Sequence, residues 1–327
     1  MGRIQAPAKV KFALIQETIR SDNNLLKIDK LCEIAGVSRS GFYNWLSSAD
    51  IRQVHEESDR KDFDLILEAY RYRGYAKGVR GIHMRLLHSP GVIMNVKKIR
   101  RLMHKYGLKC PIRKANPYRR MAKALATNNV ADNIVDRHFR LAPRKVLLTD
   151  ITYLKYRYGT CYLSTILDAF THEILAYQIS TSLKVDFVID TVDQLIAEHG
   201  CTLDNSTIVH SDQGAHYTSY AFIAKLKDAD FVQSMSRRGN CWDNSPQESF
   251  FGHMKDELGN AISACNTPSD VQAITDDWID YYNNDRGQWE LKKLTPTEYY
   301  QYLLSGHYPL PTYSATTFRG SAPDPEV

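Results

Sequence analysis

The chain has 327 residues, enough for two or three domains, and 43% hydrophobic residues, which suits a folded soluble protein. No run approaches the ~20 apolar residues of a membrane span, and the start, MGRIQAPAKVKFALIQETIR, lacks the apolar stretch and cleavage site of a secretory signal. Net charge is only +5, yet the 63 residues from Ala69 to Ala131 hold 16 Lys or Arg and no acid, leaving 26 cations against 37 acids elsewhere.

A long basic stretch beside an acidic remainder is the footprint of a phosphate-backbone binder, against the plainer reading of a solvated basic face. The six cysteines (Cys32, Cys110, Cys161, Cys201, Cys241, Cys265) are scattered and form no Cys-x-x-Cys pair. They read as small buried residues of a reducing cytoplasm, without a zinc site or disulfide framework.

The first ~50 residues read as short helices. Phe12, Leu14, Ile15 and Ile19 follow helical spacing, and Leu31, Ile34 and Ala35 form an apolar stripe ended by Gly36. Ser38 can cap the next helix, SRSGFYNWL, with Phe42, Trp45 and Leu46 inward. Helix, glycine turn and capped helix make a helix-turn-helix pattern, which ordinary helical hairpins share. It recurs in DFDLILEAYRY, VRGIHMRLLHS and NVKKIRRLMHKYGL. In the last, Val96, Ile99, Leu102, Met103 and Tyr106 form the buried stripe. Lys97, Lys98, Arg100, Arg101 and Lys105 occupy the outer face, as docking in a major groove requires. PIRKANPYRRMAKALATNN, with two prolines and many cations, reads as a linker or arm that can lie along DNA; it contains Arg113, Lys114, Arg119 and Arg120.

From about Arg144 the pattern changes to β-rich segments: KVLLTDITYLKY and TCYLSTILDAFT, with Gly159 between them, then HEILAYQIS. KVDFVIDTVDQLIAEHG, TSYAFIAKLKDA and SPQESFFGHMKDELG read as helices, alternating with the short strands STIVH and DFVQSMS. PSDVQAITDDWIDYYNNDR reads as the last long helix, and the final ~20 residues, with four prolines, as a loose tail. The order predicts an α/β mixed sheet flanked by helices, preceded by an all-α region.

Three acids occupy telling places. Asp150 lies within the apolar strand LLTDITYL, where a charge is costly unless paired or metal-bound. Asp212 follows the strand STIVH, at the end where open α/β sheets present reactive groups. Glu248 lies in the first turns of a helix after Pro246. Their convergence would make an all-oxygen site suited to Mg²⁺ or Mn²⁺, and two such ions can clamp both oxygens of an in-line phosphoryl transfer. Asp168 and Asp243 are rival acids, each also readable as structural. His210 and His216 flank Asp212 as loop-shaping or phosphate-touching groups, and Lys255 lies two helical turns beyond Glu248.

The segments LLTDITYL, VHSDQGAHYTS and NCWDNSPQESFFGHMKDE resemble the integrase-type core of bacterial insertion-sequence transposases, above all the second-reading-frame product of the IS-three family. YYNNDRGQWELKKLTPTEYY resembles that family's closing motif, and YRYRGYAKGVRGIHMRLL, VKKIRRLMHKYGLKC and AGVSRSGFYNWL resemble its helix-turn-helix segments. The resemblance covers nearly the whole chain. It implies an RNase H-like five-stranded core of the retroviral-integrase type. It also implies an Asp, Asp, 35 residues, Glu triad, matched by Asp150, Asp212 and Glu248, with Lys255 as the basic residue beyond.

The implied activity is Mg²⁺-dependent cleavage at terminal inverted repeats and DNA strand transfer, with two ions per site and Mn²⁺ as substitute. DNA contacts are then expected at Lys97, Lys98, Arg100, Arg101, Lys105, Arg113, Lys114, Arg119, Arg120, His210, His216 and Lys255. Expected partners are double-stranded terminal-repeat and target DNA, further copies of the chain at synapsis, and an upstream-frame fusion or partner; no membrane is involved. The protein is expected in the bacterial cytoplasm, on the nucleoid when bound to DNA. The expected domains are an N-terminal helix-turn-helix (1–52), a second basic helix-turn-helix (53–112), a basic linker (113–140), the catalytic core (141–305) and a tail (306–327).

Overall fold

The computed structural model describes residues 6–21, 24–75, 77–88, 92–110, 130–237 and 241–311. The chain divides into two compact units, 1–65 and 66–327.

In the first unit, α1 (Ala8–Arg20), α2 (Ile28–Ala35) and α3 (Arg39–Ser47) close around buried Ile15, Leu31, Cys32 and Phe42, with Phe12 and Trp45 against them. Gly36 takes φ 64°, which lets the Val37 amide turn back to the Cys32 carbonyl at 3.0 Å and end α2. Ser38 Oγ accepts from the Gly41 amide at 3.1 Å and starts α3. The helix-turn-helix geometry is thus present, but the expected stripe is displaced. Ile34 is 66% exposed and Cys32 takes the inward place, because the inward face runs through Ile28, Leu31, Cys32 and Ala35.

Helix α4 (Ala49–Arg71) runs without a break through the boundary expected at 52/53, and the division into compact units falls later in the same helix, after Leu65. The second unit begins within this helix and includes α5 (Val79–His88) and α6 (Val96–Lys105). Polar contacts tie the start of that region to α10 (Pro268–Asn284) and the residue after it. Tyr72 donates to Asp285 at 2.9 Å, and Arg73 pairs with Asp280 at 2.7 Å and Asp285 at 3.2 Å. Lys77 is buried, its ammonium donating to the Tyr72 and Tyr75 carbonyls, and burial lowers its pKa to about 8. Residues 66–110 of the expected 53–112 domain therefore share a compact unit with the sheet, while 53–65 fall in the first unit.

The sheet is the mixed five-stranded one expected, in the order β3-β2-β1-β4-β5. Strands β1 (Val146–Tyr156), β2 (Gly159–Asp168) and β3 (Ile174–Ser180) form an antiparallel meander, while β4 (Ile208–Ser211) and β5 (Val232–Met235) run parallel to β1. Alternation along β1 splits the core. Leu148 and Leu154 pack with Phe250, Met254 and Trp278 of α9 (Ser245–Ala264) and α10; Leu147 packs with Val188, Val192 and Phe222 of α7 (Asp186–His199) and α8 (Tyr220–Asp228).

Two expectations need correction. Part of the linker, residues 130–140, is docked on the core, with Val135 buried and the Ile134 amide donating to Ser234 at 3.0 Å. The tail begins packed, since Leu310 is buried beside Leu87 and Leu294, and Tyr308 donates to the Lys292 carbonyl at 2.8 Å. Beyond the expected last helix lies α11 (Pro296–Ser305), which carries a capping box at Thr295 and Glu298. Among the described residues no helix is long and apolar enough to cross a membrane.

Helix α11 is also held by His88, whose Nδ1 meets the Met84 carbonyl at 2.7 Å and whose Nε2 meets Glu298 at 2.8 Å. Both nitrogens face acceptors, so the imidazolium is favoured. Burial opposes the charge, but Glu298 and the Met84 carbonyl raise the His88 pKa overall, while His88 and the Thr295 amide hold Glu298 low against the effect of burial. The histidine contribution is full below its ordinary value of 6.5 and is lost as pH rises through the folded value; the glutamate contribution is full above 4.5 and is lost as pH falls. His88→Ala should therefore cost about 1–3 kcal/mol between those values and less at about pH 8.5, as measured by urea denaturation.

Candidate active site

Parallel pairing of β1 with β4 sets Leu147 opposite Val209 and Leu148 opposite His210, and β4 ends at Ser211. Two residues beyond that last pair, Asp150 and Asp212 come abreast at the mouth of the strands. Asp150 is also paired with Thr165 on β2, which holds its backbone on that side. Glu248 enters from α9, which has Pro246 in its first turn. The preceding residue, Gln247, is fully buried, and its amide donates to the hydroxyl of Thr165. The first turn of α9 is therefore pinned to the residue paired with Asp150.

The electrostatics join the three acids. Asp150 is half-buried, and its pKa is pushed up to about 7. Burial is the main cause; the Asp212 charge adds to it and Glu248 further, against the Ile151 amide at 2.7 Å and the Lys255 cation. Asp212 and Glu248 open to solvent, yet the protein around each raises its carboxyl above the usual range. The Gly214 amide donates to Asp212 Oδ1 at 2.8 Å, a local turn in which a Cβ on residue 214 would lie 2.8 Å from the same oxygen. Tyr217 is buried with its hydroxyl 3.4 Å from Thr149; burial and the nearby Asp150 raise its pKa well above 10.0, so it stays a neutral phenol beside the acids.

The other residues singled out from sequence fall into distinct places. Lys255 is half-buried within electrostatic reach of Asp150. His216 is half-buried and meets the Leu183 carbonyl at 3.1 Å. His210 departs from its expected role as a DNA contact. It is fully buried, with Nδ1 2.9 Å from Ser234 and its pKa lowered to about 4 by burial, so a neutral ring lies beneath the surface.

On α6, Ile99, Leu102 and Met103 face inward, Lys97, Arg100, Arg101 and Lys105 are exposed, and Lys98 is half-buried. Arg113, Lys114, Arg119 and Arg120 lie outside the described residues. Both rival acids are saturated by protein donors. Buried Asp168 accepts from Thr171, the Phe170 amide and Arg144, while buried Asp243 is gripped by Arg137 and Arg237.

Gln247, Gly214 and Tyr217 escaped the sequence reading. Only Gly214 left a readable trace, since Asp-x-Gly favours a turn in which the carboxylate accepts from the backbone. The donor set, three hard carboxylates raised by burial and, at Asp150, by its neighbours' charge, fits a divalent cation in its chemistry. Among the described residues, no three His, Cys, Asp or Glu side chains are already gathered into a set that could hold an ion.

Residues 140–241 and 230–296 each match an integrase core domain model, and residues 48–116 match a helix-turn-helix-like domain model. A protein described as transposase InsK of insertion sequence element IS150 from Escherichia coli K12 is 31% identical over 83% of this chain and 93% of its own length. The chain belongs to the insertion-sequence transposases with an integrase core. The transposase for element IS904 from Lactococcus lactis is 33% identical over 67% of this chain and 85% of its own. Among solved structures, the HTLV-2 integrase catalytic core domain in complex with magnesium aligns with TM-score 0.39 and 17% identity, over 48% of this chain and 96% of its own. This transposase is thus an enzyme of the polynucleotidyl-transferase type, with a helix-turn-helix-like DNA-binding domain and a role in DNA integration.

Two outcomes follow from the site. A raised aspartate pKa means that charging Asp150 costs the fold, increasingly as pH rises from 3.8 through about 7. Without divalent ions, Asp150→Asn should be about 1–3 kcal/mol more stable than the parent at about pH 8, and the gain should vanish toward pH 3.8 in thermal unfolding. Gly214→Ala should displace the Asp212 carboxylate and lower the strand-cleavage rate roughly tenfold or more in a gel assay.

Proposed function

We propose that this transposase is the catalytic, second-reading-frame product of an IS-three family element, and that Asp150, Asp212 and Glu248 are its metal ligands. Its reaction is cleavage at the element's terminal inverted repeats to free a 3′-hydroxyl, which then attacks DNA in one strand-transfer step. The observation that carries this reading is the β1–β4 register that sets Asp150 level with Asp212, with Glu248 following the Gln247 that contacts Thr165, the pairing partner of Asp150.

Two Mg²⁺ ions, with Mn²⁺ as substitute, would activate the attacking oxygen and stabilise the leaving one. The chain's own residues supply the rest. Asp150 and Asp212 are set by the strands, and Glu248 is set by the Gln247–Thr165 contact. Lys255, on the Glu248 helix, lies where a cation can meet a phosphate, and His216 borders the Asp212 loop. Exposed Lys97, Arg100, Arg101 and Lys105 on α6, joined by Lys98 and by Arg113, Lys114, Arg119 and Arg120, take the terminal repeat. Two or more copies would synapse the two ends.

The test is cleavage and joining of labelled terminal-repeat duplex by the full chain. Parent protein with Mg²⁺ should cut and join, while Asp150→Asn, Asp212→Asn or Glu248→Gln should each lower both rates by at least about 10³ with terminal-repeat binding retained. Joining by Asp150→Asn would overturn the triad. Cutting without joining would point to a nuclease, and binding alone to a regulator. Arg100→Ala with Arg101→Ala should weaken terminal-repeat binding and flatten its salt dependence by a slope of about 2, read by fluorescence anisotropy against salt.

A further inference from the structure

Asp243 has no part in the chemistry above, yet its carboxylate is fully buried and heavily bound. It accepts from Arg137 Nε at 2.9 Å and from Arg237 Nε at 2.9 Å, Nη2 at 3.0 Å and backbone amide at 3.1 Å. Asn133 Nδ2 donates to it at 3.1 Å. These donors come from a distant segment that precedes β1 and from Arg237, six residues before Asp243 and just after β5. Asp243 itself lies in the short turn Cys241–Asn244, which runs directly into α9, five residues before Glu248. Burying a carboxylate against two guanidiniums carries a desolvation cost that a simple helix-leading turn does not require.

The segment that supplies Asn133 and Arg137 is strained and separately anchored. Asp136 and Arg137 take φ of 37° and 66°. The Asp136 amide is held by Asn133 Oδ1 at 2.9 Å, and the Met235 amide donates to the Asp132 carbonyl at 3.2 Å. Ser234 Oγ accepts from the Ile134 amide at 3.0 Å and also meets His210 Nδ1 at 2.9 Å, two residues before Asp212. One stretch of chain, 132–137, therefore touches the support of Asp212 through Ser234 and the support of Glu248 through Asp243.

We propose that Asp243, gripped by Arg137 and Arg237, is a positioning residue, and that with segment 132–137 it braces Glu248 against Asp212. Arg137 acts only through Asp243, and neither residue touches the reacting atoms. The inference rests on the assignment of Glu248 as a metal ligand. It predicts that loosening the brace impairs turnover and ion binding while DNA recognition by α6 is untouched.

The experiment compares full-length Arg137→Gln, Arg237→Gln, Arg137→Lys and Glu248→Gln. It reads kcat and KM for cleavage of terminal-repeat duplex, Mn²⁺ affinity by calorimetry, and melting temperature. Either glutamine variant that folds at the assay temperature decides the matter. The expected result is a kcat loss of about tenfold or more and a weaker Mn²⁺ affinity, KM within about twofold, and substantial recovery in Arg137→Lys. A purely structural role would lower the melting temperature and leave kcat and Mn²⁺ affinity of the folded protein unchanged, which would overturn the proposal. An active Glu248→Gln would instead show that the triad assignment has failed, and the brace with it; an inactive Glu248→Gln beside fully active glutamine variants would remove the brace alone.

Discussion

Parallel pairing of β1 with β4 forces two aspartates into each other's field. The register that aligns Leu148 with His210 brings Asp150 abreast of Asp212 where the strand pairing stops. No hydrophobic packing gain requires two acids there, and burial, with the Asp212 charge adding to it, drives Asp150 up to about 7. The surroundings limit the repulsion without abolishing it. An Ile151 amide serves one carboxylate, a Gly214 amide the other, and Lys255 adds a cation. In the proposed reading this stored like charge suits a cationic ligand, with the Glu248 carboxylate on α9 as a further hard oxygen donor.

In the proposed reading the same unit separates recognition from chemistry. Acids along α10 and just after it engage Arg73 and Arg85, so cations at the start of the α5–α6 region hold protein to protein. The cations of α6 lie over a hydrophobic face of Ile99, Leu102 and Met103 and point outward. Basic residues of one continuous charge run thus divide between an internal fastening and an external surface. That division explains why net charge, at +5, says little by itself.

Local signals carried much of the fold. Strand alternation, the Ser38 and Asn95 caps, Gly36 and the proline-led α9 were legible because each depends on residues within a few positions. Motif context rather than residue chemistry singled out Asp150, Asp212 and Glu248, since Asp168 and Asp243 stayed rival acids although each leaned toward a structural role. What separates them is the full set of donors around each: Asp168 takes the nearby Phe170 amide and Thr171 as well as Arg144, and Asp243 takes the nearby Arg237 as well as Arg137, 106 positions away. Burial of His210 depends on β5 and the Asp243 turn, and docking of residues 130–140 depends on Ser234 and Met235. The missed helix α11 is different. Its capping box, Thr295 with Glu298, was present in the sequence and was hidden only by the aromatic run that follows.

The central claim is that Asp150, Asp212 and Glu248 form one ion-binding site at the mouth of β1 and β4. Its most direct test is a crystal structure of the full chain with Mn²⁺, in which anomalous scattering locates the ions independently of any activity. The account predicts anomalous peaks coordinated by oxygens of Asp150 and Asp212, with Glu248 turned in to complete the shell. Peaks bound elsewhere, or a Mn²⁺ ion held at Asp168 or Asp243 with the three acids unliganded, would contradict it.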